Sequence, residues 1–202
     1  MSTASQIVLI TGANQGLGYH TAHQLSKLPG WIVLLGSRDA TRGREAADKI
    51  KADGAISDVE VVVLDVTSDA TIEAARKGIE EKYGKLDVLV VSPLSRFRRP
   101  DLALSGDAQN NAGLSFDNDK TLSPRERLRA TFDVNVFGAA ALVEALLPLL
   151  EKSSFPRIVN VSSTLGSITK ALSPGYGYPP IPVRSFRTPS LRHACLTQIK
   201  GV

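Results

Sequence analysis

Short runs of apolar and β-branched residues recur along the first 163 positions, and stretches of helical period separate them. The strand-like runs are 6–11 (QIVLIT), 31–37 (WIVLLGS), 59–66 (VEVVVLDV), 86–91 (LDVLVV) and 157–163 (RIVNVSS). They are largely apolar at consecutive rather than alternate positions, the pattern of strands covered on both faces. Between them, residues 69–83 place Ile72, Ala75 and Ile79 on one helical face and pair Glu73 with Lys77 one turn on. Ser68 is the expected N-cap of that helix and Gly84 its stop. Residues 124–150 form a longer helical pattern, with Ser123 as cap and Pro124 in the first turn. Strand and helix alternating in this way predict an α/β fold, a right-handed, doubly wound parallel sheet of five strands.

Two stretches break the rhythm. The run 86–91 passes into "SPLSRFRRPDLALSGDAQ", which is basic, proline-broken and without either period, before the polar turn "NNAG" at 110–113. Beyond residue 173 the chain turns into "PGYGYPPIPVRSFRTPSLRHACLTQIKGV", rich in proline and glycine, with no further strand or helix pattern.

Composition narrows the reading only slightly. A chain of 202 residues with 43% hydrophobic and 22% charged residues has the make-up of one ordinary globular domain. The net charge of +4 arises from a tail, 181–202, that holds Arg184, Arg187, Arg192 and Lys200 and no acid, so a nucleic-acid partner is not expected. A single cysteine, Cys195, has no partner for an internal disulfide, and Ile7 to Ile10 is too short for the apolar region of a signal peptide. The expected location is cytoplasmic. The longest apolar stretch, 136–150, contains Glu144 and Pro148 and reads as a core-facing helix, so no membrane association is expected.

Chemistry enters at the first strand-to-helix junction. "TGANQGLG", Thr11 to Gly18, sits where a glycine pattern becomes specific for dinucleotides. Gly12 allows the tight turn, Gly16 lets backbone approach a pyrophosphate, and Gly18 lets helix pack closely on strand, with Asn14, Gln15 and Leu17 completing the loop. The helix N-terminus would offer free N–H groups and partial positive charge to the phosphates. The sheet is therefore expected to be Rossmann-type, in the order 3-2-1-4-5. At the end of the second strand, "GSRDATRGRE" presents Ser37 and Arg38, with Arg42 one turn later. Arginine at this point accommodates a ribose 2′-phosphate, so the cofactor expected is NADP (NADPH), with Asp39 serving as a helix cap. A solvated basic helix start is the plain alternative.

These motifs together resemble the short-chain dehydrogenase/reductase family, nearest to its carbonyl-reductase-like members. The resemblance spans residue 6 to about 182 except the irregular stretch. Thr11 to Gly18 resembles the family's TGxxxGxG, and Asp65 with Val66 resembles its adenine-contacting pair. Asn110 to Gly113 resembles the motif ending its fourth strand, which implies that Asn111 approaches the cofactor ribose with Ala112 and Gly113 beside it. Asn135 in "FDVNVFG" matches the asparagine of the family's catalytic helix, and Ser163 in "VNVSS" its catalytic serine. Taken alone, either would be read as a residue bonded to its own backbone neighbours.

The resemblance implies an NADPH-dependent reduction of a small-molecule carbonyl to an alcohol, or the reverse. A tyrosine made more acidic by a lysine gives the proton, the serine holds the carbonyl oxygen and the asparagine anchors a water relay to the lysine. A homo-oligomer is implied only for an intact family member. The pattern departs from the family where it matters most. No Tyr-x-x-x-Lys follows Ser163: Tyr176 has Pro180 four residues on, and Tyr178 has Pro182. Tyr176 has a spacing from Ser163 that shorter members use, yet proline opposes the helix the pair requires. His20 and His23 are expected at exposed positions of the first helix, without partners for a triad or a metal.

The expected organisation is one Rossmann domain, 1–182, whose sheet is truncated after the fifth strand, followed by an irregular basic tail, 183–202. Residues 91–109 are an atypical insertion in it. Three functional readings follow: an NADPH-dependent reductase by family that is inactive as written, a non-catalytic dinucleotide-binding or regulatory protein, and a mis-spliced product of an active gene. For the last, removing 91–109 joins "LDVLV" to "NNAG" in frame. Val91-Ser92 is encodable as GTAAGT or GTGAGT, common splice donors, and Gln109 as CAG, a common acceptor. Val183-Arg184 repeats the donor signature as GTACGT, and Leu196-Thr197 can supply a branch site. A genuine surface insertion is the alternative, because long loops carry a modest entropic cost.

Overall fold

The computed structural model describes residues 5–92 and 121–161. Apolar residues at consecutive strand positions give this part of the chain two cores, one on each sheet face. In β1 (Gln6–Ile10), Ile7 and Leu9 face one way and Val8 and Ile10 the other. The same split divides β2 (Trp31–Ser37) and β4 (Val88–Val91). β3 (Asp58–Val63) and β5 (Arg157–Asn160) complete a five-stranded sheet in the order β3-β2-β1-β4-β5, as the sequence predicts. All pairings are parallel, with Gln6 opposite Trp31, Val8 opposite Val88, and Leu89 opposite Ile158.

Helices α1 (Gly16–Ser26) and α2 (Ala40–Ala52) cover the face of Val8, Ile10, Val33 and Leu35 with small residues, Ala22, Ala46 and Ala47, and with Ile50. The opposite face receives Ile72 and Ile79 of α3 (Asp69–Tyr83) and Leu142, Leu146 and Leu149 of α5 (Ala139–Leu150). Each fully buried leucine contributes about 1.5–3 kcal/mol relative to exposure, so these faces are the main source of stability. Residues 124–150 are, among those described, the one helical stretch long and apolar enough to cross a membrane. Its large apolar side chains at 142, 146, 149 and 150 are fully buried in this core.

Several boundaries differ from the sequence expectation. β3 ends at Val63, before Leu64 to Val66, because Asp65 leaves the ladder for a side-chain turn with Thr67. β4 begins at Val88, since Asp87 bonds Ile7 and Leu86 bonds Leu149 outside the ladder. The expected single helix from Pro124 is α4 (Pro124–Phe132), a π-helical turn (Asp133–Gly138) and α5. α4 opens with a full capping box between Ser123 and Glu126, and Gly84 ends α3 in the left-handed conformation at φ 70°. Ser68 stands at the N-cap of α3 but makes no side-chain cap bond. The Glu73–Lys77 pair exists at 3.6 Å, but Arg76 holds Glu73 at 2.8 Å and Glu80 at 2.6 Å and is the stronger link on that face.

The N-terminal edge of the sheet is tied by Asp87, a buried carboxylate. It accepts from the Ile7 amide at 2.9 Å, from Lys85 Nζ at 2.9 Å and from the Ser153 hydroxyl, joining β1, β4 and the turn before β5. Burial pushes this carboxyl up, but the Ser153, Lys85 and Ile7 hydrogen bonds outweigh it and hold the group below its ordinary value. A carboxyl so depressed contributes stability that is present above the unfolded value of about 3.9 and lost as pH falls through the folded one. Asp87→Asn, which keeps the shape and removes the charge, is expected to lower stability at pH 7 by about 1–3 kcal/mol. It should also flatten the acid side of the stability profile, read from thermal melts between pH 3 and 7.

Candidate cofactor site

The sheet reverses its winding where β1 lies between β2 and β4, and the crevice at the C-terminal ends of those strands is where such sheets bind ligands. Thr11 closes β1 at this point. Its amide bonds Val90, and its hydroxyl both accepts from the Ser92 amide at 2.8 Å and donates to the Ser92 carbonyl at 2.9 Å. The loop therefore leaves β1 from a buried, doubly bonded anchor. Gly12 and Gly16 both have φ of 59°, a left-handed conformation that costs other residues strain. A Cβ on Gly18 would stand 2.7 Å from the Gly12 carbonyl oxygen, so the third glycine is required by the contact of α1 with its own loop. The Ala13 amide bonds Gly36 on β2 at 2.9 Å and fixes the loop from the other side. Gln15 occupies the α1 N-cap and makes no side-chain cap bond to the first-turn amides. Asn14, Gln15 and Gly16 are half-buried and Leu17 is 46% exposed. This cradle fits a dinucleotide pyrophosphate, with amides and the helix dipole directed to the same place.

At the end of β2 the three residues singled out diverge. Ser37 is buried, and its hydroxyl donates to the Asp39 carbonyl at 2.8 Å, shaping the turn rather than facing outward. Arg38 and Arg42 are exposed. Asp39 caps α2 as expected, its Oδ1 accepting from the Thr41 amide at 2.9 Å and the Arg42 amide at 3.1 Å. Its Oδ2 lies 3.7 Å from Arg42 Nε.

The third wall is the loop after β3. Asp65 accepts from the Thr67 amide and hydroxyl, and Thr71 on α3 bonds both the amide and the carbonyl of Asp65. Against this loop lies the π-helical turn, which contains Asn135, buried, and Phe137, 60% exposed and 6.3 Å from Phe132 between ring centroids. A Cβ on Gly138 would overlap the Val66 carbonyl, so the absence of a side chain there lets the Asn135 turn rest on the Asp65–Val66 loop.

Thr11, Gly138, Thr67 and Thr71 went unnoticed in the sequence as positioning residues. The spacing of Thr67 and Thr71 behind Asp65, a turn signature at a helix start, is the signal that could have found two of them. Asn111, Ala112, Gly113, Ser163 and Tyr176 lie outside the described residues, as does all of the irregular stretch beyond Ser92. His20 is exposed as expected, but His23 is not. Its ring is half-buried, stacked at 6.0 Å on Tyr19, with Nε2 3.6 Å from Asp53, because this face of α1 turns toward α2. No cluster of His, Cys, Asp and Glu able to hold a metal occurs among the described residues.

Comparison with known proteins points the same way as the geometry. A family model described as short chain dehydrogenase matches residues 6–178. The short-chain dehydrogenase anuI of Penicillium roqueforti is 37% identical over 174 residues, covering 85% of this chain and 61% of that protein. (−)-Isopiperitenone reductase of Mentha piperita is 34% identical over 188 residues, covering 83% and 60%. Among solved structures, salutaridine reductase from Papaver somniferum matches with a TM-score of 0.62 at 33% identity, over 82% of this chain and 60% of that one. A metagenomic short-chain oxidoreductase in complex with NADP matches with a TM-score of 0.62 at 28% identity, over 83% and 66%. The chain spans about 60% of the length of the curated relatives named. With the glycine cradle, the threonine-locked Asp65 loop and the strand order all agreeing with a family match across most of its length, the chain belongs to the short-chain dehydrogenases/reductases.

Proposed function

We propose that this chain carries the cofactor half of an NADPH-dependent oxidoreductase acting on a small-molecule carbonyl or alcohol. The observation that carries the reading is the exposed pair Arg38 and Arg42 at the end of β2, beside the cradle of left-handed Gly12 and Gly16. When bound, the nicotinamide cofactor supplies or accepts a hydride. In this reading the Gly12–Gly18 cradle holds the pyrophosphate, Asp65 and Val66 bound the adenine, and Arg38 and Arg42 attract the 2′-phosphate. The family resemblance extends this to Asn111 at a ribose, Ser163 at the carbonyl oxygen, Asn135 at a water relay and Tyr176 as the remaining candidate proton donor. The NADP complex of the metagenomic relative supports the cofactor class.

A second reading, a mis-spliced product, is compatible with the anchor at Thr11, although it removes Val91, a buried residue of β4. Its bonds to Ser92 use only the Ser92 amide and carbonyl. Removal of 91–109 would bring Asn110 to the place of Val91 and Asn111 to that of Ser92, where backbone alone makes the same two bonds. A family asparagine would then stand at the crevice, beside the cradle.

Three outcomes test these readings. A charge-assisted contact to a 2′-phosphate is worth about 1.5–3 kcal/mol, so NADPH should bind about ten- to a hundredfold tighter than NADH, and Arg38→Ala should narrow the gap. Fluorescence titration with both cofactors decides it, and equal or tighter NADH binding would sink the preference. Lacking a Tyr-x-x-x-Lys pair, the 202-residue chain should show no steady NADPH oxidation with a panel of carbonyls. Turnover abolished by Tyr176→Phe would instead place the proton donor at Tyr176. Finally, cDNA across both irregular segments should lack codons 91–109 and show a Tyr-x-x-x-Lys shortly after Pro182. Mature messages that retain codons 91–109 and end after Val202 would leave the divergent, non-catalytic protein as the better account.

A further inference from the structure

Thr71, the third residue of α3, bonds back onto the main chain of Asp65. Its Oγ1 accepts from the Asp65 amide at 3.0 Å and donates to the Asp65 carbonyl at 2.7 Å. The Ser68 carbonyl, 3.0 Å away, is the rival acceptor for that one proton. It already takes the amides of Thr71 and Ile72, both at 3.1 Å, whereas the Asp65 carbonyl takes one amide, that of Ser68, so the proton goes to Asp65. The carboxylate is oriented separately. Its Oδ1 accepts from the Thr67 amide at 3.0 Å and hydroxyl at 2.8 Å, and its Oδ2 accepts nothing among the described residues. The chain on either side of Asp65 is held by backbone, with the Leu64 amide on the Ser37 carbonyl at 2.9 Å and Gly138 close against the Val66 carbonyl. Among the described residues, Thr71 is thus the one side chain that grips the Asp65 main chain.

We infer that Thr71 is a positioning residue for adenine recognition: through the main chain of Asp65 it sets where the unengaged Oδ2 stands. The inference rests on the reading that puts Asp65 and Val66 at the adenine, and it adds a residue that does not touch the cofactor. A carboxylate oxygen needs a donor, and the 6-amino group is the one N–H donor on the base of an adenine nucleotide. Such a bond weakens steeply once its angle falls below about 120°, so a small rotation of residue 65 forfeits it. The two threonines divide the work. Thr67 turns the carboxylate, and Thr71 fixes the main chain from which it hangs. Without the Thr71 hydroxyl, the Asp65 amide and carbonyl each lose a fixed partner, and water beside this half-buried loop takes its place without holding the direction. The loss falls on the amino group of adenine, and a base without that group is indifferent to it.

The experiment compares NADPH with its hypoxanthine analogue, whose base carries an oxo group in place of the 6-amino group. Both are titrated into the full 202-residue chain and its Thr71→Val and Thr71→Ser variants, with melting temperature as a control. Valine keeps the branched shape of threonine without the hydroxyl, and serine keeps the hydroxyl. Thr71→Val should bind NADPH about three- to tenfold more weakly, the size of one net hydrogen bond, and the analogue within about twofold of the unsubstituted chain. Thr71→Ser should restore the NADPH affinity. Equal losses for both ligands overturn the inference, because Thr71 would then serve the shape of the loop and not its contact with the base. An NADPH affinity unchanged in Thr71→Val overturns it too. Should Thr71→Val fail to fold, deuterium exchange at the Asp65 amide of the unsubstituted chain decides. NADPH should slow that exchange about three- to tenfold more than the analogue does, and equal slowing overturns the inference. An unsubstituted chain that binds both dinucleotides equally tightly keeps the cofactor reading and overturns the role of Thr71. Binding of neither refutes the cofactor reading and the inference with it.

Discussion

In a parallel sheet, a strand that pairs with one neighbour on each side while the chain winds outward in both directions must leave a gap at its C-terminal end. β1 is that strand here, and Thr11 is the residue at the gap. Its amide bonds β4, its hydroxyl bonds Ser92 twice, and two residues on the Ala13 amide bonds β2. The glycine loop is consequently held at both rims before it turns into α1. Its two left-handed glycines and the near-contact of Gly18 with the Gly12 carbonyl complete a rigid shape lined by backbone amides. A cradle built of amides pays little reordering entropy when an anion arrives, which is the physical advantage of using main chain for phosphates.

The two helices that start at this edge treat their N-termini differently. α1 begins without a side-chain cap, and α2 begins under the carboxylate of Asp39. The first arrangement leaves the opening amides of α1 without a bond from the N-cap side chain, and the second satisfies two amides of α2 with Asp39, beside which Arg38 and Arg42 stand exposed. Exposed arginines are screened by salt and cost rotamer entropy to order, so this half of the site is the softer one.

The sheet was legible in the sequence because its strands are apolar on both faces and its helices are short and punctuated. Ser68, Gly84 and Asp39 stand where α3 ends or begins and where α2 begins. What could not be read was wherever a polar side chain diverts the backbone. Asp65 ends β3 early by a turn with Thr67, and Asp87 delays β4 by its bonds to β1. Neither depends on hydrophobic period. Ser37 has the sequence position of a cofactor contact and the geometry of a buried turn residue, and which one it is depends on where its hydroxyl points. His23 was likewise legible as a helix residue but not as a half-buried one, since the contact of α1 with α2 is tertiary.

The π-helical turn is the hardest feature to see from sequence and the most consequential for the site. A π turn inserts a residue without changing the apolar pattern on either side, so residues 124–150 read as one helix while the structure has two, offset by the insertion. The turn keeps Asn135 buried while α4 and α5 retain their own packing faces. It is tolerated because Gly138 has no side chain to meet the Val66 carbonyl. Contact at that point joins the Asp65–Val66 loop with the helix that carries Asn135, so a shift in one must be accommodated by the other. The position of Asn135 therefore follows from backbone packed on backbone, Gly138 against Val66, with Thr71 in turn locking Asp65 behind it.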